Sequence, residues 1–228
     1  MIDLDEKIRR RADHEPIAYI RGKQEFYGRE FSVSPATLTP RPETETMVEM
    51  LLNLVGSRQF TADSELQVID VGTGSGCIAI SVALELAEAY RVKPTFSFSG
   101  LDNSEPALKI ARRNAEKFKV DINFTFYDLL KDPLPIESSA LTLITANLPY
   151  VPDDFHINLA ATHEPAQAIF GGQDGLDYYR ELFRQLHEKP GCIVFTESLP
   201  PQHKQLANIA KEAGFDLIES QDLIQVFS

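Results

Sequence analysis

The run Leu66-Gln67-Val68-Ile69-Asp70-Val71-Gly72-Thr73-Gly74-Ser75-Gly76-Cys77-Ile78-Ala79-Ile80-Ser81 constrains the chain more than any other. A β-branched apolar stretch ends in an acid, glycines take every second position, and small apolar residues then resume at helical spacing. The pattern predicts a strand, a tight turn and a helix. Glycines let a turn reach positive φ and let a ligand lie against main-chain N–H groups, while the new helix points its positive end at the same place. A nucleotide-like ligand is therefore expected at Asp70, Gly72, Thr73, Gly74 and Gly76. It is not a dinucleotide of the usual kind, because the last position of that fingerprint falls on Cys77; the Walker A lysine is absent as well.

The rest of the chain alternates strands with helices. Residues 1–13 suit a short amphipathic helix. From Glu15 to Val33, Pro16, Gly22 and Gly28 punctuate short aromatic and β-branched runs, which predicts a β-hairpin outside the main sheet, turning near Gly28. Leu38 to Glu45 opens a helix with Pro42 in its first turn and Met47, Val48, Leu51, Leu52 and Val55 as its buried stripe. Arg41, between two prolines, has an unusually fixed backbone. A polar linker from Gly56 to Glu65 leads into the central strand.

Beyond the glycine turn, a helix runs to about Ala89 and a strand from Phe96 to Leu101. Ser104 caps the next helix, and strands follow at Ile122–Tyr127 and Leu141–Ala146. The chain then closes with a helix at Gly175–Glu188, a strand at Cys192–Thr196, a helix from Pro201 to Ala213 stopped by Gly214, and two short strands, Phe215–Ser220 and Leu223–Phe227, antiparallel to each other. Such alternation implies a mostly parallel, doubly wound α/β sheet with its ligand in the crevice beyond the strands' carboxyl ends.

Charge narrows the partners. The 228 residues carry 22 basic and 34 acidic side chains, a net −12. Nucleic-acid binding is dominated by lysine and arginine neutralising phosphates, so stable nucleic-acid binding is not expected, and a protein or small-molecule substrate is favoured. Cys77 and Cys192 sit in apolar segments without metal spacing and read as core thiols of a reducing compartment; the five histidines show no ligand spacing either. No metal is expected. No apolar run approaches the length of a membrane span and no signal peptide is evident, so a soluble, cytoplasmic protein is expected.

Asp70-x-Gly72-x-Gly74-x-Gly76 resembles motif I of the S-adenosylmethionine-dependent methyltransferases. That resemblance implies S-adenosyl-L-methionine as cofactor and a seven-stranded Rossmann-like fold. Two more acids end strands. Asp102, after the second strand, can accept hydrogen bonds from both ribose hydroxyls, a loop acid or helix cap being the alternative. Asp128, after the third, can accept from the exocyclic amine of adenine with Leu129 against the ring, a plain turn aspartate being the alternative.

The fourth strand runs into Asn147-Leu148-Pro149-Tyr150, beside the glycine turn in such a sheet. An amino group conjugated to a carbonyl or ring is a poor nucleophile, because its lone pair is delocalised, so a site that methylates one must orient it. The Asn147 side-chain oxygen and the Leu148 carbonyl can each accept one N–H, Pro149 fixes the turn, and Tyr150 can stack on the planar group. Asn147 also borders the cofactor in this arrangement. No strong base is needed beforehand, since the proton becomes acidic only once the methyl has arrived.

Several segments together resemble the HemK/PrmC family of protein-(glutamine-N5) methyltransferases. They are Glu15-Pro16-Ile17-Ala18-Tyr19-Ile20-x-Gly22, Glu25-Phe26-Tyr27-Gly28, Val33-Ser34-Pro35-x-x-Leu38-x-Pro40-Arg41-Pro42-Glu43-Thr44-Glu45, the glycine turn, Asn147-x-Pro149-Tyr150, Glu164-Pro165 and Gly171-Gly172-x-Asp174-Gly175-Leu176. The resemblance implies methylation of the glutamine in the Gly-Gly-Gln loop of peptide chain release factors. It also implies that Asn147, Leu148, Pro149 and Tyr150 hold the substrate, with Arg41 and Glu164 on the same side. Residues 1–45 are then the remnant of the family's N-terminal region, which in bacterial members includes a helical domain, and 46–228 the catalytic domain. Leu148 departs from the usual Asn-Pro-Pro-Tyr, and Asn-Leu-Pro-Tyr also occurs in rRNA adenine dimethyltransferases. Adenine offers a similar planar amino group, so an N6-adenine methyltransferase is the alternative activity, and a cofactor-binding protein without turnover is a third.

Overall fold

In the computed structural model the described residues are 4–58, 64–90, 94–136, 141–187, 189 and 191–228. Residues 59–63 of the expected linker lie outside them, as do Ile2 and Glu188, which the sequence placed in helices.

The chain opens with α1 (Leu4–Ala12) and a five-residue helix, α2 (Ile17–Arg21), followed by the hairpin strands β1 (Lys23–Phe26) and β2 (Arg29–Ser32). The sequence did not predict α2. Pro16 starts it and Gly22, at φ +69°, stops it, a span too short for helical periodicity to register. The hairpin forms because Tyr27 and Gly28 both take positive φ, +50° and +68°, the two-residue turn that matches strand twist. A 3₁₀ turn at Pro42–Thr44 leads into α3 (Glu45–Gly56). Its buried stripe includes Met50, while Leu52 is only half-buried.

The main body continues with β3 (Glu65–Val71), α4 (Cys77–Ala89), β4 (Thr95–Asp102), α5 (Glu105–Phe118), β5 (Asn123–Phe126), β6 (Leu141–Ala146), α6 (Asp177–Leu186), β7 (Cys192–Glu197), α7 (His203–Glu212), β8 (Leu217–Gln221) and β9 (Ile224–Phe227). Strand order is β5-β4-β3-β6-β7-β9-β8, parallel except for β9, which is antiparallel to both neighbours. A 3₁₀ turn at Pro200–Gln202 takes the first residues of the helix expected from Pro201.

Alternation along the strands sorts the core into two halves. Val68, Leu143, Ile193 and Phe195 pack with α3, α4 and α5, and with Phe26 and Phe31 of the hairpin. Ile69, Ile144, Val194 and Phe227 point the other way, towards α6 and α7. Because successive side chains leave a strand on opposite faces, a strand covered on both sides reads as a continuous apolar run, as in β3 and β7. The chain moves outward from β3 through β4 to β5, then returns to lay β6 on the other side of β3. That reversal opens a crevice above the carboxyl ends of β3 and β6.

Candidate active site

Parallel register sets Val71 beside Ala146. The next residues, Gly72 and Asn147, therefore leave the sheet side by side. The Gly72 and Thr73 amides both donate to the Leu101 carbonyl, at 2.8 and 2.9 Å, tying the turn to β4. Gly72 has φ +74°, and a Cβ there would come within 3.2 Å of Leu148 Cδ2. At Gly74 a Cβ would meet no protein atom closer than 3.9 Å, so bare backbone faces open space.

That space is a cleft above the glycine turn. Gly72, Thr73 and Gly74 form its floor, Asp102 and the apolar group Tyr127, Leu129 and Tyr178 one side, and Arg41, Thr44 and Asn147 to Pro149 the other. Among the described residues, no group of His, Cys, Asp and Glu could hold a metal ion.

The strand-ending acids divide. Asp102 lines the cleft, its carboxylate accepting the Gly74 amide at 2.8 Å and the Ser104 amide at 2.9 Å. Burial pushes its carboxyl above the usual range, against the pull of those two amides. Asp70 and Gly76 do not line the cleft. Asp70 lies fully buried beneath the turn, accepting the hydroxyls of Thr73 and Thr145 at 2.7 and 2.8 Å, and burial pushes it up to about 6. Gly76 at φ +79° faces Ala111 and Phe124, where a Cβ would come within 3.2 Å of each. Asp128 is also outside the lining. Its carboxylate is turned to Lys131 at 2.6 Å and to the Leu130 amide at 3.1 Å, and Lys131 holds it below the usual carboxylate range. Its two neighbours in the chain, Tyr127 and Leu129, line the cleft instead.

On the opposite wall, the Asn147 Nδ2 donates to Thr44 Oγ1 at 3.0 Å. Thr44 donates to Glu197 Oε2 at 2.7 Å and the Tyr150 hydroxyl to Glu197 Oε1 at 3.0 Å. Glu197 is only 1 % exposed, and burial raises its pKa while Thr44 and Tyr150 pull it down. Tyr150 is half-buried and outside the cleft lining, with its hydroxyl committed to Glu197. Leu148 is buried along the cleft; its amide donates to the Tyr179 hydroxyl at 3.3 Å.

Arg41 reaches Glu164 through one nitrogen, Nη2, at 2.9 and 2.8 Å from the two carboxylate oxygens. The Glu164 side chain is 2 % exposed and that of Arg41 40 %. The acid is thus the buried anchor and the guanidinium the group on the cleft's rim. Burial raises the Glu164 pKa, opposed by the nearby Arg41 charge.

Three contributors were not singled out from the sequence. Glu197 ends an apolar strand as Asp70 and Asp102 do, and carries the same signal. Thr44 and Tyr178 give none, since one is a capping-type residue at a helix start and the other an aromatic on an amphipathic helix.

Residues 62–225 match the methyltransferase domain family. The release factor glutamine methyltransferase of Koribacter versatilis is 41 % identical over 192 residues, covering 82 % of this chain and 64 % of that protein. The one from Bacillus subtilis is 40 % identical over 174 residues, covering 75 % and 57 %, and that of Thermodesulfovibrio yellowstonii 33 % over 218 residues, covering 93 % and 74 %. The chain thus spans less than two thirds of the length of the first two relatives. Among solved structures, the hMettl16 catalytic domain in complex with a MAT2A 3′UTR hairpin aligns over all of this chain and 92 % of its own, at TM-score 0.60 and 11 % identity. The Pyrococcus abyssi tRNA (uracil-54, C5)-methyltransferase in complex with S-adenosyl-L-homocysteine aligns over 90 % and 42 %, at TM-score 0.55 and 14 % identity. Those two likenesses show the fold, a Rossmann-like methyltransferase sheet. Identity of a third or more along most of the chain goes further: the chain belongs to the release factor glutamine methyltransferase family.

Proposed function

We propose that the chain transfers the methyl group of S-adenosyl-L-methionine to N5 of a glutamine side-chain amide in the Gly-Gly-Gln loop of peptide chain release factors, in the cytoplasm. The observation that carries this reading is the anchored Asn147 amide. Its NH₂ branch is held by Thr44, and among the described residues nothing is bonded to its carbonyl oxygen, which is left to accept from a substrate N–H.

The residues of the cleft fit the cofactor. Bare backbone at Gly72, Thr73 and Gly74 allows close approach, Asp102 can take the ribose hydroxyls, and Tyr127, Leu129 and Tyr178 offer an apolar slot for a purine. When bound, S-adenosylmethionine supplies an electrophilic methyl group on sulfur. The chain's part is orientation: Asn147 Oδ1 and the Leu148 carbonyl each accept one N–H of the substrate amide, turning the lone-pair face of the nitrogen towards the glycine turn. Pro149 and the Tyr150 hydroxyl bond keep that tetrapeptide in place. Arg41, braced by Glu164, serves the substrate side of the cleft. In the same reading residues 1–45 belong to the N-terminal, substrate-facing region and 46–228 to the catalytic domain.

The test is methyl-labelled S-adenosylmethionine offered with a release factor, its loop Gln→Ala variant and deproteinised rRNA in parallel. Label on the first alone supports the proposal, and label on the RNA overturns it in favour of adenine. In the same assay Asn147→Ala lowers kcat by about 100-fold, the loss expected on removing one preorganised hydrogen-bond partner, with cofactor affinity retained. Equal loss of cofactor affinity and rate would contradict the role given to Asn147.

A further inference from the structure

An Asn side chain is pseudo-symmetric: rotated by half a turn, it offers NH₂ where it offered oxygen. A methyl-acceptor site cannot tolerate that exchange, because an NH₂ facing the substrate amide opposes its N–H groups instead of accepting them. Something must fix the direction.

Glu197 can do so. A carboxylate only accepts, so the hydroxyls at 2.7 Å (Thr44) and 3.0 Å (Tyr150) must both donate to it. Once the Thr44 proton is committed to Glu197, Thr44 Oγ1 can only accept from its second neighbour. That neighbour is the Asn147 side chain at 3.0 Å, which must therefore present NH₂ to Thr44. The three residues come from the end of β7, the start of α3 and the end of β6, and Glu197 and Thr44 are 1 % and 3 % exposed. The bond between those two is shielded from water.

We propose that Glu197 is a positioning residue that, acting through Thr44, sets the direction of the Asn147 amide so that its carbonyl oxygen faces the substrate, and with its second oxygen holds Tyr150. The inference rests on the function proposed above for its consequence, though not for its geometry. The site so directed takes a planar nitrogen that donates N–H, and repels a carboxylate of the same shape.

The decisive variants exchange donors for acceptors at constant shape. Glu197→Gln keeps one acceptor and introduces a donor, so Thr44 can reverse its proton towards residue 147 and the Asn147 amide turns over. Methyl transfer to the release factor is expected to fall at least 10-fold in kcat, with the KM for S-adenosylmethionine within threefold of wild type. Asn147→Asp alone is expected to fall further, since two carboxylates then compete for one Thr44 proton. Combining Asn147→Asp with Glu197→Gln restores a consistent chain. The new amide at position 197 donates to Thr44, Thr44 donates to the new carboxylate at position 147, and the free oxygen of that carboxylate faces the substrate. The double variant is expected to recover at least 10-fold over Asn147→Asp. A double variant no better than Asn147→Asp, or Glu197→Gln within threefold of wild type, overturns the proposal. Should Glu197→Gln not fold, Thr44→Val breaks the same relay and Thr44→Ser retains it.

A readout without turnover separates this inference from the activity it serves. In amide-labelled wild-type protein, the Asn147 side-chain NH₂ is expected to show a nuclear Overhauser contact to the Thr44 methyl group, lost in Glu197→Gln. If the contact behaves so while wild type methylates no glutamine, the positioning stands and the proposed substrate fails. If the contact is absent from wild type, or unchanged in the variant, the positioning fails whatever the substrate.

Discussion

A carboxylate at the end of a strand can hold a ligand or hold the protein, and what its oxygens already accept decides which. Asp102 takes two backbone amides and still borders the cleft; Asp70 takes two buried hydroxyls beneath the turn. Asp70 therefore acts on the ligand through the turn's shape, and its environment makes a testable mark on stability. Burial raises its pKa from 3.8 to about 6, so between those values the folded state holds a proton the unfolded state has released. Its contribution is complete below about pH 4 and is lost as pH rises through 6, a change of about 3 kcal/mol. Asp70→Asn cannot titrate, so the stability difference between wild type and variant, measured by urea unfolding from pH 4 to 7, should move against wild type by that order as pH rises. Parallel curves would place the titration elsewhere. Leu148 also finds its account at this scale: where the family usually has proline, the leucine amide donates to Tyr179, whose own hydroxyl reaches the Glu197 carbonyl at 2.5 Å.

Elements hold the tetrapeptide Asn147–Tyr150 from behind. The loop Gly171–Gly175 leads into α6 and lies against the backbone of Pro149 and Tyr150. A Cβ on Gly171 would sit 2.2 Å from the Pro149 carbonyl oxygen, and one on Gly175 2.0 Å from that of Tyr150. Gln202, before α7, donates to the Tyr150 and Asp174 carbonyls at 2.8 Å each. Gly28 offers a comparison, with a similar positive φ but nothing within 4 Å of a Cβ. Gly28→Ala should lose about 1 kcal/mol of stability, the left-handed penalty alone, and keep kcat. Gly175→Ala carries the same penalty plus the collision, so denaturant midpoints should fall further and kcat should fall by about 10-fold or more as Tyr150 shifts. Equal behaviour of the two variants would show that the loop does not brace the tetrapeptide.

The elements were legible in the sequence because each has a local cause: apolar runs closed by an acid, a glycine turn, Ser104 at a helix start, Gly214 after a helix end. The cleft's floor was legible for the same reason. Its second wall was not. Thr44 finds its partner 153 residues away, and nothing local marks that hydroxyl. Glu197 obeys the strand-then-acid rule, but the strand expected to end at Thr196 runs one residue further. Asp128 follows the rule too, yet Lys131 three residues on takes its carboxylate, a competition set by the turn's geometry and not by the pattern.

At the scale of the whole molecule, the cleft lies where the two halves of the sheet meet. Its walls come from the segment before α3, the turn after β3, the ends of β4 and β6, and the face of α6. A ligand there touches elements from both sides of the sheet, with the packing of α3 to α5 on one face and of α6 and α7 on the other. It binds only when those elements are assembled, so binding should appear as global stability. With S-adenosylhomocysteine at 100 times its Kd the gain is about 2.7 kcal/mol. In a chain of this length that corresponds to a rise in Tm of about 5 to 11 °C, read by thermal unfolding with and without the ligand. Asp102→Ala removes the proposed ribose acceptor and the anchor of the Gly74 amide together, so at the same ligand concentration most of the shift should vanish. Asn147→Ala, on the acceptor wall, should keep most of it. A wild-type protein with no shift at saturating ligand would mean that the cleft takes another ligand; loss of the shift in both variants would mean that the two walls are not separate in function, since only a division between cofactor and acceptor sides lets one variant lose binding while the other loses rate.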